Sequence, residues 1–279
     1  MCSIFKYKNY VGRNFDYEKS YKEELRVIDK GEESNSWKII GMCTGLVEDY
    51  PLMYDGMNEH GLVCGALAFE GNAFYYPYDK HKFSSPSYEF VLYILRNFKT
   101  VSEARDFITN DMFQIDDEVY SDEMPSSDLH WFIADLDESI IVEQTKNGLN
   151  CYDGDVMTNN PPYPIQKHEY ETFKDLIGDT EHYQNIYNTR GMETEGLDGS
   201  YTSDGRFERL SWLKEKLEES NNSFNDINQS FHLLSSVEQI YGATPVNNDF
   251  EYTIYSIVYD MKNKKVYLKN YDSNTLVVK

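Results

Sequence analysis

The chain opens MCSIFKY, with a cysteine directly behind the initiator methionine. Met1 is expected to be removed because the residue after it is small, leaving Cys2 as the N-terminus. One residue then carries both a thiol and a free α-amine. The thiolate is the reactive form of cysteine, and an α-amine, with an ordinary pKa of about 7.7–8.0, is a base near neutral pH. Such a residue is a nucleophile with its own base and needs no histidine.

Arg13 and Asp16 follow in VGRNFDY. Residues 2–7 and 10–14 read as a β-hairpin, so both side chains belong to the strand that pairs with Cys2. A guanidinium beside the thiol favours the thiolate, and a carboxylate orients the amine. The alternative is an exposed ion pair worth about 0–1 kcal/mol. Cys43, Cys64 and Cys151 are scattered with no CxxC pair, so neither disulfides nor structural zinc is expected. His60 lies close to Cys64 in sequence, yet no catalytic context surrounds Cys64 or Cys151.

The elements that must hold these residues alternate between strand and helix patterns. After the hairpin, a polar stretch through Ser36 reads as loop, and a second β region runs from Trp37 to Phe69. Ser85-Pro86 reads as a helix start, with Phe90, Val91, Ile94, Leu95 and Phe98 at helical spacing and the helix continued by 101–110. Residues 129–145 read as strand, turn, strand. The segment 251–259 (EYTIYSIVY) is apolar or aromatic on both alternating faces and needs cover on both sides. Helical patterns at 164–177, 204–219 and 224–238 supply that cover, which predicts an α+β fold with sheets sandwiched between helices. No internal repeat or linker interrupts the chain, so residues 1–279 read as one domain.

In this order along the chain, MCS, GRNFDY (12–17), DGMNEHGL (55–62), MTNNPPY (157–163), GSYTSDGRF (199–207) and EYTIYSIVYD (251–260) resemble the choloylglycine hydrolase family. This family includes bile salt hydrolases and penicillin V acylases and belongs to the N-terminal-nucleophile (Ntn) hydrolases. The resemblance implies a four-layer αββα sandwich and a cysteine amidase that hydrolyses linear, non-peptide C–N amide bonds of N-acyl substrates through a thioester. It puts the nucleophile on Cys2, its paired arginine on Arg13 and the amine-orienting aspartate on Asp16. Asn159 takes the place of the oxyanion-binding asparagine, and Arg206 that of the second arginine. No metal or organic cofactor is required. Ser203 reads as the cap of the helix that carries Arg206, which puts this cation in a first turn where the helix dipole disfavours it.

Two segments depart from the family pattern. Gly65-Ala66-Leu67-Ala68 places Ala68 where an asparagine is usual, leaving a backbone N–H as the oxyanion contact expected there. Leu197-Asp198-Gly199-Ser200 replaces LPGD, and the region before it, from which relatives build tetramers, is shortened. The acyl group therefore stays open among conjugated bile acid, penicillin V and N-acyl amino acid or lactone types. The resemblance implies a homo-dimer or homo-tetramer. The rival reading is a catalytically eroded small-molecule binding protein on the same scaffold.

Composition limits the partners. Lys+Arg 26 against Asp+Glu 48 gives a net charge of −22, which repels nucleic acid and anionic membranes. The first twenty residues hold no apolar run of signal-peptide length, and nowhere do about 18 apolar residues run together. The expectation is a cytoplasmic protein acting on a small molecule.

Overall fold

The N-terminal hairpin forms from Cys2–Tyr7 (β1) and Tyr10–Tyr17 (β2), its turn passing through Lys8 at φ 51°. Its register sets Cys2 opposite Phe15 and Ile4 opposite Arg13. Cys2 and Arg13 are therefore diagonal neighbours on one face, and Asp16 points from the other. The fold is that of a computed structural model that describes residues 1–30, 37–48, 50–110, 112–121, 127–177, 190–191, 194–273 and 277–278.

The strand Asp249–Asp260 (β14) pairs with β2, with Thr253 opposite Asp16. Val156–Met157 (β12) adds to the other edge of β1, Lys265–Asn270 (β15) and Val277–Val278 (β16) extend the sheet beyond β14, and Thr244–Val246 (β13) pairs with its start. A second antiparallel sheet runs through Gly148–Asp153 (β11), Ser139–Thr145 (β10), Leu129–Ala134 (β9), Val63–Ala68 (β6), Met53–Asn58 (β5), Ile39–Cys43 (β4) and Glu24–Ile28 (β3). Phe83–Pro86 (β7) and Phe113–Asp116 (β8) form a small parallel pair.

The inner faces of the two large sheets meet through Ile4, Val11, Met57, Val63, Phe132 and Ile257, all fully or almost fully buried. The helices Tyr163–Lys174 (α3), Ser203–Glu219 (α4) and Asp226–Ser236 (α5) cover the outer face of the first sheet, where Asn14 donates to the Leu234 carbonyl at 2.9 Å. Phe90–Asn97 (α1) and Val101–Ile108 (α2) cover the second, burying Phe90, Leu95 and Val101 against Trp131 and Ile133. The layers are helix, sheet, sheet, helix, the αββα arrangement expected. Among the described residues, no helix is long and apolar enough to cross a membrane.

Four local expectations are corrected. The polar stretch after the hairpin contains β3, an edge strand whose partly exposed faces hide the apolar alternation; residues 31–36 lie outside the described residues. Ser85-Pro86 ends β7, and helix α1 starts only at Phe90. The helix there does not run on: Phe98 is extended, and Thr100 caps a separate α2 by accepting from the Glu103 N–H. Thr202, not Ser203, caps α4, by accepting from the Gly205 N–H at 3.2 Å. At Gly205 a Cβ would stand 2.4 Å from Ser200 Oγ and 2.5 Å from an Asp198 carboxylate oxygen, so any side chain there would have to push both aside. The expected shortening before Leu197 falls largely on residues 178–189 and 192–193, outside the described residues.

Candidate active site

The Cys2 side chain is buried at the start of β1, between the two sheets. Its sulfur lies 3.9 Å from Arg13 Nη2 and 3.9 Å from the Asp16 carbonyl oxygen. The Cys2 backbone N–H donates to Asn159 Oδ1 at 2.7 Å. Met1 caps this nitrogen; its ammonium donates to the Asp16 carbonyl at 2.8 Å and pairs with Glu251. Burial lowers the pKa of that α-amine.

Arg13, on the first sheet, is aimed by acceptors on the second. Nη1 donates to the Tyr54 carbonyl at 2.7 Å and pairs with Asp55, and Nη2 donates to the Ala66 carbonyl at 2.7 Å. Asp55 is fully buried and also accepts from the hydroxyls of Tyr255 and Tyr259. Burial works against the charge of Arg13, but its acidic neighbours, Tyr255 and Asp55 foremost, outweigh that and hold the guanidinium above its ordinary range. Burial also pushes the Tyr255 and Tyr259 phenols well up.

Asp16 meets Cys2 through its backbone. Its carboxylate lies on the far face of the hairpin, where Thr253 Oγ1 donates at 2.6 Å and Gln239 Nε2 at 3.1 Å. Burial raises its pKa, opposed by the positive charges of Arg206 and the chain terminus. The Asp16 carboxylate, expected from the sequence to orient the Cys2 amine, makes no direct contact with Cys2; only its carbonyl does.

Arg206 projects from the first turns of α4 and is fully buried. Nη1 donates to the Cys2 carbonyl at 2.5 Å and to Ser3 Oγ at 2.7 Å, and Nη2 donates to Asn159 Oδ1 at 2.9 Å. Burial pulls its pKa down, but a guanidinium has several units in hand above neutrality and keeps its proton.

Asn159 stands between these groups. Oδ1 takes the Cys2 N–H and Arg206, which fixes Nδ2 as the free donor, and Nδ2 points at the Ala68 carbonyl at 2.8 Å. The Asn159 backbone N–H donates to Ser203 Oγ at 2.8 Å, the reason this serine packs inside α4 and leaves the cap to Thr202. Just past the end of β6 the Phe69 N–H goes to the Asp128 carbonyl, next to the start of β9, while Ala66 and Ala68 in β6 offer their carbonyls to Arg13 and Asn159. Alternation along a strand places the Ala68 N–H on that same site-facing edge. The Ala68 methyl offers no polar contact.

The structure therefore brings Cys2, Arg13, Asp16, Asn159 and Arg206 together, with the Ala68 backbone beside them. Sequence reasoning missed the groups that hold them, Asp55, Tyr255, Tyr259, Thr253 and Gln239, and gave Ser203 only a capping role. A signal existed for the first three. Asp55 is the one carboxylate in the strand MYDGMN, and Tyr255 and Tyr259 recur with strand alternation in EYTIYSIVYD. The other cysteines lack such surroundings: burial pushes Cys43 up to about 12, Cys151 up to about 11 and Cys64 higher still. His60 packs edge-on against Trp37.

Fold and site together define an α+β Ntn-type hydrolase with an N-terminal cysteine. A model of the linear amide C–N hydrolases, choloylglycine hydrolase family, matches residues 3–278, and the chain belongs to that family. It is 36% identical over 300 aligned residues to the bile salt hydrolase/transferase of Lactiplantibacillus plantarum, covering 99% of this chain and 91% of that protein. A crystal structure of a mutant conjugated bile acid hydrolase from Clostridium perfringens superposes with a TM-score of 0.89 at 27% identity, covering 100% of this chain and 92% of that one. Penicillin V acylase from Agrobacterium tumefaciens shares the fold, with a TM-score of 0.76 at 21% identity over 100% of this chain and 85% of that one. The protein is a linear amide C–N hydrolase.

Proposed function

We propose that the whole chain works as one domain that hydrolyses the amide of a conjugated bile acid, with Cys2 as nucleophile once Met1 has been removed. The observation that carries this reading is the placement of Cys2 Sγ beside Arg13 while Asn159 holds the Cys2 nitrogen. The bile-acid choice rests on the relatives, whose names carry it at 36% identity and at a TM-score of 0.89.

The Cys2 thiol passes its proton to its own α-amine, and the sulfur attacks the acyl carbonyl carbon. The resulting oxyanion takes hydrogen bonds from Asn159 Nδ2 and the Ala68 N–H, displacing the contact between Asn159 and the Ala68 carbonyl. Collapse breaks the C–N bond, the leaving amine takes the proton from the α-ammonium, and a thioester remains. Water, deprotonated by the same α-amine, then hydrolyses the thioester and restores the thiol. Arg13 and Arg206 keep positive charge around the sulfur and the oxyanion, and Asp16 orients the amine. A reducing, cytoplasmic setting suits the four free cysteines, and the assembly proposed is a homo-dimer or homo-tetramer.

The test is amine release by untagged wild type and Cys2→Ala from glycine- and taurine-conjugated bile acids, penicillin V, N-acyl amino acids and acyl homoserine lactones. Release by wild type alone, fastest from a bile-acid conjugate, is expected. Preference for another acyl class would reassign the substrate, and binding of these amides without turnover would instead favour the eroded binding protein.

A further inference from the structure

His130 on β9 and Glu143 on β10 face each other across the ladder, one residue beyond the Trp131–Val142 pair. Both are 1% exposed, on the face turned toward the first sheet. His130 Nδ1 lies 3.2 Å from Glu143 Oε1, and Nε2 lies 2.8 Å from the Thr158 carbonyl oxygen. Glu143 Oε1 also accepts the Tyr163 N–H at the start of α3, at 2.9 Å. The ring of Phe69 stacks flat on the imidazole, with centroids 4.4 Å apart and planes 8° from parallel. The steps derived above use none of these side chains.

The contacts fix the protons. A carbonyl only accepts, so Nε2 carries hydrogen. The contact between Nδ1 and Oε1 then requires one further proton, on the ring or on the carboxyl group. The pair shares that proton and bears no net charge, the arrangement that burial favours. Thr158 directly precedes Asn159, and Phe69 directly follows Ala68. The imidazole therefore bridges the two segments whose approach brings Asn159 Nδ2 to the Ala68 carbonyl.

We propose that His130, held by Glu143, is a positioning residue that sets Asn159 at the correct distance from the Ala68 edge for oxyanion binding. This inference rests on the reading of Asn159 as oxyanion donor. A satisfied core histidine would matter only for stability. A positioning residue changes kcat in a folded enzyme, because misplacing a donor by about 1 Å costs on the order of 100-fold.

The experiment measures kcat and KM on a glycine-conjugated bile acid for wild type, His130→Phe, His130→Gln, Glu143→Gln and Asn159→Ala, each with its thermal melt. His130→Phe keeps the ring stack and loses the donor to Thr158; it is expected to lower kcat about 10- to 100-fold with KM little changed. His130→Gln can still donate to Thr158 and is expected to recover most of that loss. Wild-type kcat in folded His130→Phe, or a change confined to KM, would overturn the proposal. Should His130→Phe fail to fold, Glu143→Gln and the wild-type imidazole 15N spectrum decide: lowered kcat and a protonated Nε2 support it, and wild-type kcat or a bare Nε2 overturns it. Wild-type kcat in Asn159→Ala would remove the oxyanion reading itself. An impaired Asn159→Ala beside a fully active His130→Phe would sink the positioning role alone.

Discussion

Arg206 donates to the carbonyl oxygen of Cys2 across 204 positions of sequence. The same guanidinium reaches Asn159 Oδ1, so one planar fork sets the distance between the Cys2 backbone and the amide proposed to bind the oxyanion. A lysine keeps the charge but presents a single nitrogen to acceptors arranged around a fork. Arg206→Lys is expected to fold and to lose about tenfold or more in kcat, as for a misplaced donor. Arg206→Leu leaves the buried Cys2 carbonyl and Ser3 hydroxyl without their donor and is expected to lose about 2–4 kcal/mol in urea unfolding. Wild-type kcat in Arg206→Lys would contradict this account.

Asp55 joins the two sheets in the middle of the core, taking Arg13 and Tyr255 and Tyr259 at once. Replacing it with asparagine leaves a fully buried guanidinium without its counter-charge. The expected loss is about 3–5 kcal/mol, read as a lower denaturant midpoint. Tyr259→Phe removes one neutral donor and should cost about 1–2 kcal/mol. Equal losses in the two variants would show that charge compensation at Asp55 has been overstated.

The hairpin and the layer order were legible because they follow from strand alternation and apolar helix faces, which are local. Cys2, Arg13 and Asp16 were legible for the same reason, as one turn brings them together. Asn159 and Arg206 were found only through resemblance, since nothing local ties them to the N-terminus. Asp55 could not be assigned a role because its partners lie 42, 200 and 204 positions away. Ser203 was misread as a cap because its hydroxyl serves Asn159, and tertiary demand outweighed the local preference.

Asp16 carries a stability consequence with a definite sign. Its folded pKa is raised above the ordinary value of 3.8, chiefly by burial, so ionisation disfavours the folded state. That penalty is absent well below the ordinary value, grows as pH rises through the folded pKa, and is complete above it. Asp16→Asn is therefore expected to resist urea better than wild type at pH 7 and to lose the advantage in acid. The carboxylate raises the pKa of the Met1 ammonium; if it acts alike on the Cys2 amine formed by processing, its removal should move the acid limb of kcat/KM to lower pH. An unmoved limb would detach Asp16 from the amine.

Glu208, on α4, is pushed up to about 7 by burial and by Asp198, Asp204 and Glu169. Its folded pKa exceeds the ordinary value of 4.5, so wild type loses stability from this group as pH rises between 4.5 and about 7. Glu208→Gln should match wild type at pH 4 and exceed it at pH 8 in thermal melts. A constant difference across that range would mean that the side chain acts by packing instead.

The proposed chemistry finally depends on the nitrogen of Cys2. With Met1 in place, this nitrogen is an amide whose hydrogen goes to Asn159 Oδ1, and an amide accepts no proton from a thiol. An N-terminal extension that blocks processing is therefore expected to fold, keep its thiol and release no amine. Once Met1 is gone, the amine formed lies in the same buried surroundings that lower the pKa of the Met1 ammonium, though one residue deeper. Its base form should persist below the ordinary 7.7–8.0, so kcat/KM is expected to hold through neutrality and fall only at more acid pH. Mass spectrometry of the N-terminus beside the pH–rate profile checks both statements. Turnover by intact, Met1-bearing protein would remove the α-amine from the mechanism.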